Sequence, residues 1–223
     1  MINHEIKCIF IHIPRTGGSS ISTAINQRKK KGERFDSIRN VKEKNKIHYT
    51  ISQAKKTFGE DIYNEYLTFS FVRNPWDRLV SQYKWRIAKN ENDVKNKTFK
   101  EWVVWRHKNW LNWLVNPRKI IRGVPQIGHR ERAIMLTKSF DEIYDNINNK
   151  VLVDFVGRYE NIVTDIKKLC KKLNINEEIV LPHKHNTKNS KHYTEYYDED
   201  TINIVKEFYA NDINILGYKY GEN

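Results

Sequence analysis

The sequence predicts an α/β fold in which a parallel sheet is flanked by helices. Short apolar runs rich in β-branched residues occur at 8–13, 67–72 and 151–156, and a helical pattern follows each of them. The runs lie much further apart than a hairpin turn allows, which argues for parallel strands joined by helical crossovers. Ligands of such sheets bind at the carboxyl ends of the strands, so function is expected at the turns that leave the runs.

The first run, from Cys8 to Ile13, is nearly continuous in apolar residues, as suits a strand buried on both faces. Pro14 and the pair Gly17-Gly18 end it, and a helix is expected over 18–28. After the second run, Asn74-Pro75 supplies an N-cap followed by proline at the first helical position. Trp76, Leu79, Val80, Tyr83 and Ile87 then recur at helical spacing. Thr98 with Glu101 forms a capping box ahead of Trp102, Trp105, Trp110 and Trp113, in a helix that ends before Pro117. Ile162, Ile166, Leu169 and Leu173 mark the amphipathic helix after the third run, and a last helix is expected over 199–209.

The length of 223 residues suits one domain, read as 1–223. With 39% hydrophobic and 12% aromatic residues the chain is too apolar for disorder, although 30% of it is charged. A net charge of +13 makes anions the favoured partners: phosphorylated cofactors, acidic glycans, nucleic acid or anionic membrane surfaces. The densest basic run, 28–46, reads as a solvated surface segment or as an anion-facing wall. Cys8 and Cys170 sit far apart within apolar patterns, which points to buried thiols in a reducing compartment rather than a disulfide or a metal site. Met1 to Lys7 show no basic-then-apolar leader, and no window approaches the roughly 18 apolar residues of a membrane span. A soluble, cytoplasmic protein is expected.

The turn Pro14-Arg15-Thr16-Gly17-Gly18-Ser19-Ser20 joins a strand to a helix. It aims several main-chain N–H groups at one point near the positive end of the helix dipole. The glycines allow close approach of phosphate oxygens, Thr16, Ser19 and Ser20 offer hydroxyls, and Arg15 brings a permanent charge. A nucleoside-triphosphate loop would need a lysine and Ser or Thr directly after its last glycine, whereas Gly18 is followed by Ser19. Asp154 imitates the magnesium-holding acid of such enzymes but lacks that first motif. The second turn sets Arg73 at the end of a strand and Ser81 two helical turns into the next helix, from which both can reach one phosphate.

Taken together, the two turns resemble the carbohydrate sulfotransferases that include the heparan sulfate 2-O-sulfotransferases and their bacterial relatives. The first turn, from Phe10 to Ser20, is similar to that family's 5′-phosphosulfate loop, and the second, from Phe71 to Tyr83, to its 3′-phosphate motif. The likeness continues into Val156 to Asn161 and into the tail, Asp212 to Tyr220. The resemblance implies a P-loop-like sulfotransferase architecture with 3′-phosphoadenosine 5′-phosphosulfate (PAPS) as donor. It implies that Arg15, Thr16, Gly17, Gly18, Ser19 and Ser20 hold the 5′-phosphosulfate, and that Arg73 and Ser81 hold the 3′-phosphate. The commonest family residue at position 15 is lysine; arginine keeps the charge but is bulkier and forked.

Sulfuryl transfer needs a general base for the acceptor hydroxyl, and a cation with N–H groups for the charge that builds on the leaving oxygen. Arg15 is the candidate cation, and no metal is implied. Histidine has the most suitable pKa for the base. His48 occupies the region where similar sulfotransferases carry their catalytic histidine. His12 reads as structural, while His183, His185 and His192 fall in a polar tail loop. The expected acceptor is a carbohydrate or glycoconjugate hydroxyl, with the tryptophans of 102–113 serving as sugar-stacking surfaces or as core. Two other classes stay open from the residues alone. One is a magnesium-dependent ATP phosphotransferase; the other is a basic nucleic-acid-binding module, for which no reader motif is present.

Overall fold

The computed structural model describes residues 1–26, 50–114, 120–121, 124–125, 143–145, 150–175, 181 and 191–222. Its strands in chain order are β1 (Ile2–Asn3), β2 (Cys8–Ile11), β3 (Leu67–Val72), β4 (Ile120–Ile121), β5 (Val124–Pro125), β6 (Tyr144–Asp145), β7 (Lys150–Val151) and β8 (Phe155–Arg158). Its α-helices are α1 (Gly18–Asn26), α2 (Ile51–Phe58), α3 (Glu60–Glu65), α4 (Pro75–Ala88), α5 (Phe99–Leu114), α6 (Ile162–Lys172), α7 (Glu199–Phe208) and α8 (Ala210–Leu216). The chain divides into two compact units, Met1–Arg73 with Ser139–Lys188, and Asn74–Lys138 with Asn189–Asn223.

The first unit carries the main sheet, in the order β1-β2-β3-β8. β2, β3 and β8 run parallel, as the apolar runs predict, and β1 adds an antiparallel edge that the sequence pattern does not announce. The register sets Phe10 opposite Phe69, and Phe69 opposite Phe155. The rings of Phe10 and Phe69 stack with centroids 4.7 Å apart. This aromatic face packs on Ile21 and Ile25 of α1 and on Ile166 and Leu169 of α6. Each such side chain taken out of water stabilises the fold by about 1.5–3 kcal/mol. The opposite face buries Ile9 and Ile11, and the Ser70 hydroxyl donates to the Ile11 carbonyl at 2.7 Å.

The third run does not form the strand expected at 151–156. Lys150–Val151 pairs with β6 in a small ribbon, while β8 starts at Phe155 and continues to Arg158. The break falls at Asp154, whose Oδ2 accepts from both the main-chain N–H and the hydroxyl of Thr68, each at 2.7 Å. That carboxylate clasps the start of β8 to β3. Gly157 is needed further along β8, because a Cβ there would lie 2.3 Å from the Phe71 ring.

The second unit is built on helices. Asn74 caps α4 by accepting from the Trp76 N–H at 3.1 Å, and Pro75 opens the helix. The Asn74 amide also donates to the carbonyls of Lys219 (3.1 Å) and Glu222 (2.9 Å), so one residue starts α4 and ties down the tail. The expected capping box opens α5: Thr98 N–H donates to Glu101 Oε2 at 2.7 Å, and Glu101 N–H to Thr98 Oγ1 at 3.3 Å. Trp102 is fully buried among Leu79, Tyr83, Phe99, Val205 and Tyr209, and partly buried Trp105 packs against the same cluster. Trp102 is therefore core; the side chains of Trp110 and Trp113 lie outside the described residues. The expected last helix is α7, and α8 follows it directly as a separate short helix. Among the described residues no helix is long and apolar enough to cross a membrane.

Candidate functional site

β2 ends at Ile11 and α1 begins at Gly18, so residues 12–17 form the turn at the carboxyl end of a central strand. Two residues of this turn adopt left-handed backbone, Arg15 at φ +66° and Gly17 at φ +81°. Thr16 between them is fully buried, and its hydroxyl donates to the Ile13 carbonyl at 2.9 Å. Its side chain closes the turn from within. Ser20 and Ile21 both donate main-chain N–H groups to the Gly17 carbonyl, at 2.9 and 3.0 Å, and so start α1. The N–H groups of Gly18 and Ser19, in the first turn of this helix, have no intrahelical acceptor. Ser19 is exposed and Ser20 half-buried.

The two glycines are demanded by what lies behind them. A Cβ on Gly17 would approach Ile162 Cδ1 to 2.9 Å and Tyr159 Cδ2 to 3.1 Å, and one on Gly18 would lie 2.0 Å from His12 Nε2. The His12 ring is buried, stacks on Phe10 with centroids 5.3 Å apart, and fills the space under the first residue of α1. His12 is structural, in keeping with its place in the first apolar run.

Arg73 follows β3, the neighbour of β2, and meets this turn. Its Nη1 donates to the Arg15 carbonyl at 3.3 Å, and its guanidinium carbon sits 3.9 Å from the centroid of the Tyr159 ring. Burial pulls the Arg15 pKa down to about 10; the nearby charge of Arg73 pulls the same way, and Tyr159 opposes both. Arg15 stays protonated at neutral pH, so two guanidinium groups are held near each other at the ends of adjacent parallel strands. Their mutual repulsion would be relieved by an anion bound between them.

The structure thus brings together Arg15, Thr16, Gly17, Gly18 and Arg73. Ser81 lies in the second unit, half-exposed on α4 two turns after its cap. His48, His183 and His185 lie outside the described residues, while His192 caps a 3-10 turn, with its Nδ1 2.7 Å from Thr194 Oγ1. Asp154, the imitation of a magnesium ligand, is taken up by Thr68. Among the described residues no group of three or more His, Cys, Asp or Glu side chains is placed to hold a metal ion. Nothing in the residue pattern singles out Tyr159; its signal is only its place in the Val156 to Asn161 segment, directly after the third apolar run.

The sequence pattern that defines the Sulfotransferase family matches residues 1–219. The chain belongs to the Sulfotransferase family. An uncharacterized protein of Archaeoglobus fulgidus is 33% identical over 124 residues, which cover 54% of this chain and 78% of that protein. The crystal structure of a sulfotransferase from Alicyclobacillus acidocaldarius aligns with 16% identity and a TM-score of 0.38, covering 74% of this chain and 57% of that one. The chain therefore spans little more than half the length of the Alicyclobacillus enzyme. The crystal structure of mouse sulfotransferase SULT7A1 complexed with PAP aligns with 12% identity and a TM-score of 0.49, over 98% of this chain and 91% of that one. In this family member the glycine turn, both arginines and Tyr159 all lie in the first unit, at the carboxyl ends of β2, β3 and β8.

Proposed function

We propose that this family member is a PAPS-dependent sulfotransferase that sulfates a hydroxyl of a carbohydrate or glycoconjugate. The observation that carries the reading is the meeting of Arg15 and Arg73 beside the Gly17-Gly18 turn. The chemistry of these donors fits the cofactor: two cations, and main-chain N–H groups at the start of a nine-residue helix, suit a nucleotide with phosphate at two positions. Bound PAPS supplies an activated sulfuryl group, whose bond from sulfur to the bridging oxygen breaks as the acceptor oxygen bonds to sulfur, leaving adenosine 3′,5′-bisphosphate (PAP).

The chain's residues divide the remaining work. Arg15 and the N–H groups of Gly18 and Ser19 stabilise negative charge on the departing phosphate oxygen. Thr16 serves through its main chain, since its hydroxyl is donated to Ile13. Arg73 grips the 3′-phosphate, and the sequence resemblance assigns Ser81 to the same group. His48 takes the proton of the acceptor hydroxyl, a role that rests on the resemblance alone. The net charge of +13 supports an acidic glycan as acceptor, and the burial of both free cysteines, Cys8 and Cys170, supports a reducing, cytoplasmic setting. The catalytic domain is taken as 1–223, both units included.

Thermal stabilisation by PAP, compared with AMP and with ATP plus magnesium, tests the reading, because a ligand that binds the native state raises its melting temperature. The expected result is a metal-independent shift with PAP that Arg73→Ala abolishes. Stabilisation by ATP with magnesium alone, or by none of the three, overturns it.

A further inference from the structure

Tyr159 touches both parts of the candidate nucleotide site, and neither the family match nor the sequence motifs give it a role. Its main-chain N–H donates to the carbonyl of Val72 at 2.8 Å, which fixes its backbone beside the residue that precedes Arg73. Its ring lies under the Arg73 guanidinium, 3.9 Å from ring centroid to carbon. The ring edge also bounds Gly17, whose missing Cβ would come within 3.1 Å of it.

These contacts have a specific consequence for an arginine meant to hold a phosphate. Arginine is a long side chain with much rotamer freedom, which binding must remove unless the protein has already done so. An aromatic face attracts the guanidinium through its quadrupole and occupies the flat face of the group, not the N–H edge that bonds to oxygen. The ring therefore immobilises Arg73 without consuming its donors. Arg73 is held against Tyr159 on one side and bonded to the Arg15 carbonyl on the other, so its position is set relative to the glycine turn.

We propose that Tyr159 is the positioning residue that makes this site selective for nucleotides carrying a 3′-phosphate. The proposal rests on the PAPS reading above. It concerns the increment in affinity that the 3′-phosphate adds, measured as the ratio of the dissociation constants for AMP and PAP.

The test is isothermal titration of the full chain with PAP and with AMP, for wild type, Tyr159→Phe, Tyr159→Leu, and a variant with pentafluorophenylalanine at position 159. The fluorinated ring keeps the shape but withdraws the negative face, so it separates the guanidinium stack from simple packing. The wild type and Tyr159→Phe should show the same large ratio. Tyr159→Leu and the fluorinated variant should lose about fivefold of it, the size expected of a partly exposed cation–π contact. An unchanged ratio in the fluorinated variant overturns the proposal even if Tyr159→Leu fails to fold. An equal loss of PAP and AMP affinity in Tyr159→Leu overturns it too, because that is what general damage to the turn produces. Wild-type protein with no preference for PAP over AMP overturns the cofactor reading itself, and the role of Tyr159 with it.

Discussion

Arg73 donates a hydrogen bond from Nη1 to the main-chain carbonyl of Arg15, 3.3 Å away, and Arg15 holds a left-handed backbone at φ +66°. A side chain from the end of β3 thus braces a strained residue in the turn after β2. Two costs are concentrated at Arg15: a conformation that non-glycine residues adopt rarely, and a partly buried charge near a like charge. Both are tolerable where a site must be ready to receive an anion.

Arg15→Gly is therefore expected to stabilise the free protein while destroying its function. Glycine adopts left-handed backbone without the penalty of about 1–2 kcal/mol, and the buried charge disappears. For a chain of this size, a gain near 1 kcal/mol corresponds to a melting temperature about 2–4 °C higher. Scanning fluorimetry without ligand should show that rise, and the shift with PAP should vanish. A lower melting temperature would mean that the arginine side chain contributes more to the turn than its strain removes.

The pKa of Arg15, pulled by burial from its ordinary value down to about 10, fixes the sign of a pH effect. Between these values the unfolded chain binds more protons than the folded one, so the destabilisation due to burying this charge fades as pH rises through that window. Below about 10 both states are protonated and the effect is constant. Arg15 itself should thus leave PAP affinity flat from pH 6 to 9 and reduce it above 10, as the folded guanidinium loses its charge. Titration calorimetry of the wild type with PAP across that range checks it, and an affinity that does not fall above pH 10 would remove Arg15 from the contacts to the ligand.

Gly18→Ala tests why the turn contains two glycines. The new methyl would meet His12 Nε2 at 2.0 Å, a clash with a ring already packed on Phe10. Overpacking of this kind costs about 1–3 kcal/mol. Denaturant unfolding should show that loss, and His12→Ala in the same chain should recover part of it. If the double variant is no more stable than Gly18→Ala, the ring is not what excludes the methyl.

Much of this architecture is legible in the sequence, because several elements are specified by neighbours along the chain. β3 with its Asn74-Pro75 cap and α5 with its Thr98–Glu101 box are local signals, and the structure contains both. The apolar count over 151–156 does not reveal that Asp154 clasps Thr68 and interrupts the strand. Tyr159 is hidden for a related reason. Its meaning lies in contacts with Gly17 and Arg73, brought beside it only when β8 joins the sheet next to β3.

His48→Ala should abolish sulfuryl transfer while leaving PAP binding intact. Loss of a general base typically slows a reaction by about 10²–10⁴-fold. Rate measurements with labelled donor, paired with PAP titration, distinguish a missing base from a broken site. Wild-type turnover in the variant would remove His48 from the role.

Asp154 separates a structural carboxylate from a metal-holding one. Its Oδ2 accepts two bonds at 2.7 Å from Thr68, and its own N–H donates to the Thr68 carbonyl at 2.9 Å. Asp154→Asn turns that acceptor-only group into an amide with a weaker acceptor, and Asp154→Ala removes both side-chain bonds. Hydrogen bonds to a charged group contribute about 1.5–3 kcal/mol each at most, so Asp154→Ala should lose about 2 kcal/mol or more of stability, with the asparagine variant between it and wild type. Because the carboxylate serves the junction of β3 and β8, the folded variants should bind PAP with wild-type affinity and show no response to added magnesium. If Asp154→Asn kept full stability but made activity depend on millimolar magnesium, the carboxylate would belong to a metal site and not to the sheet.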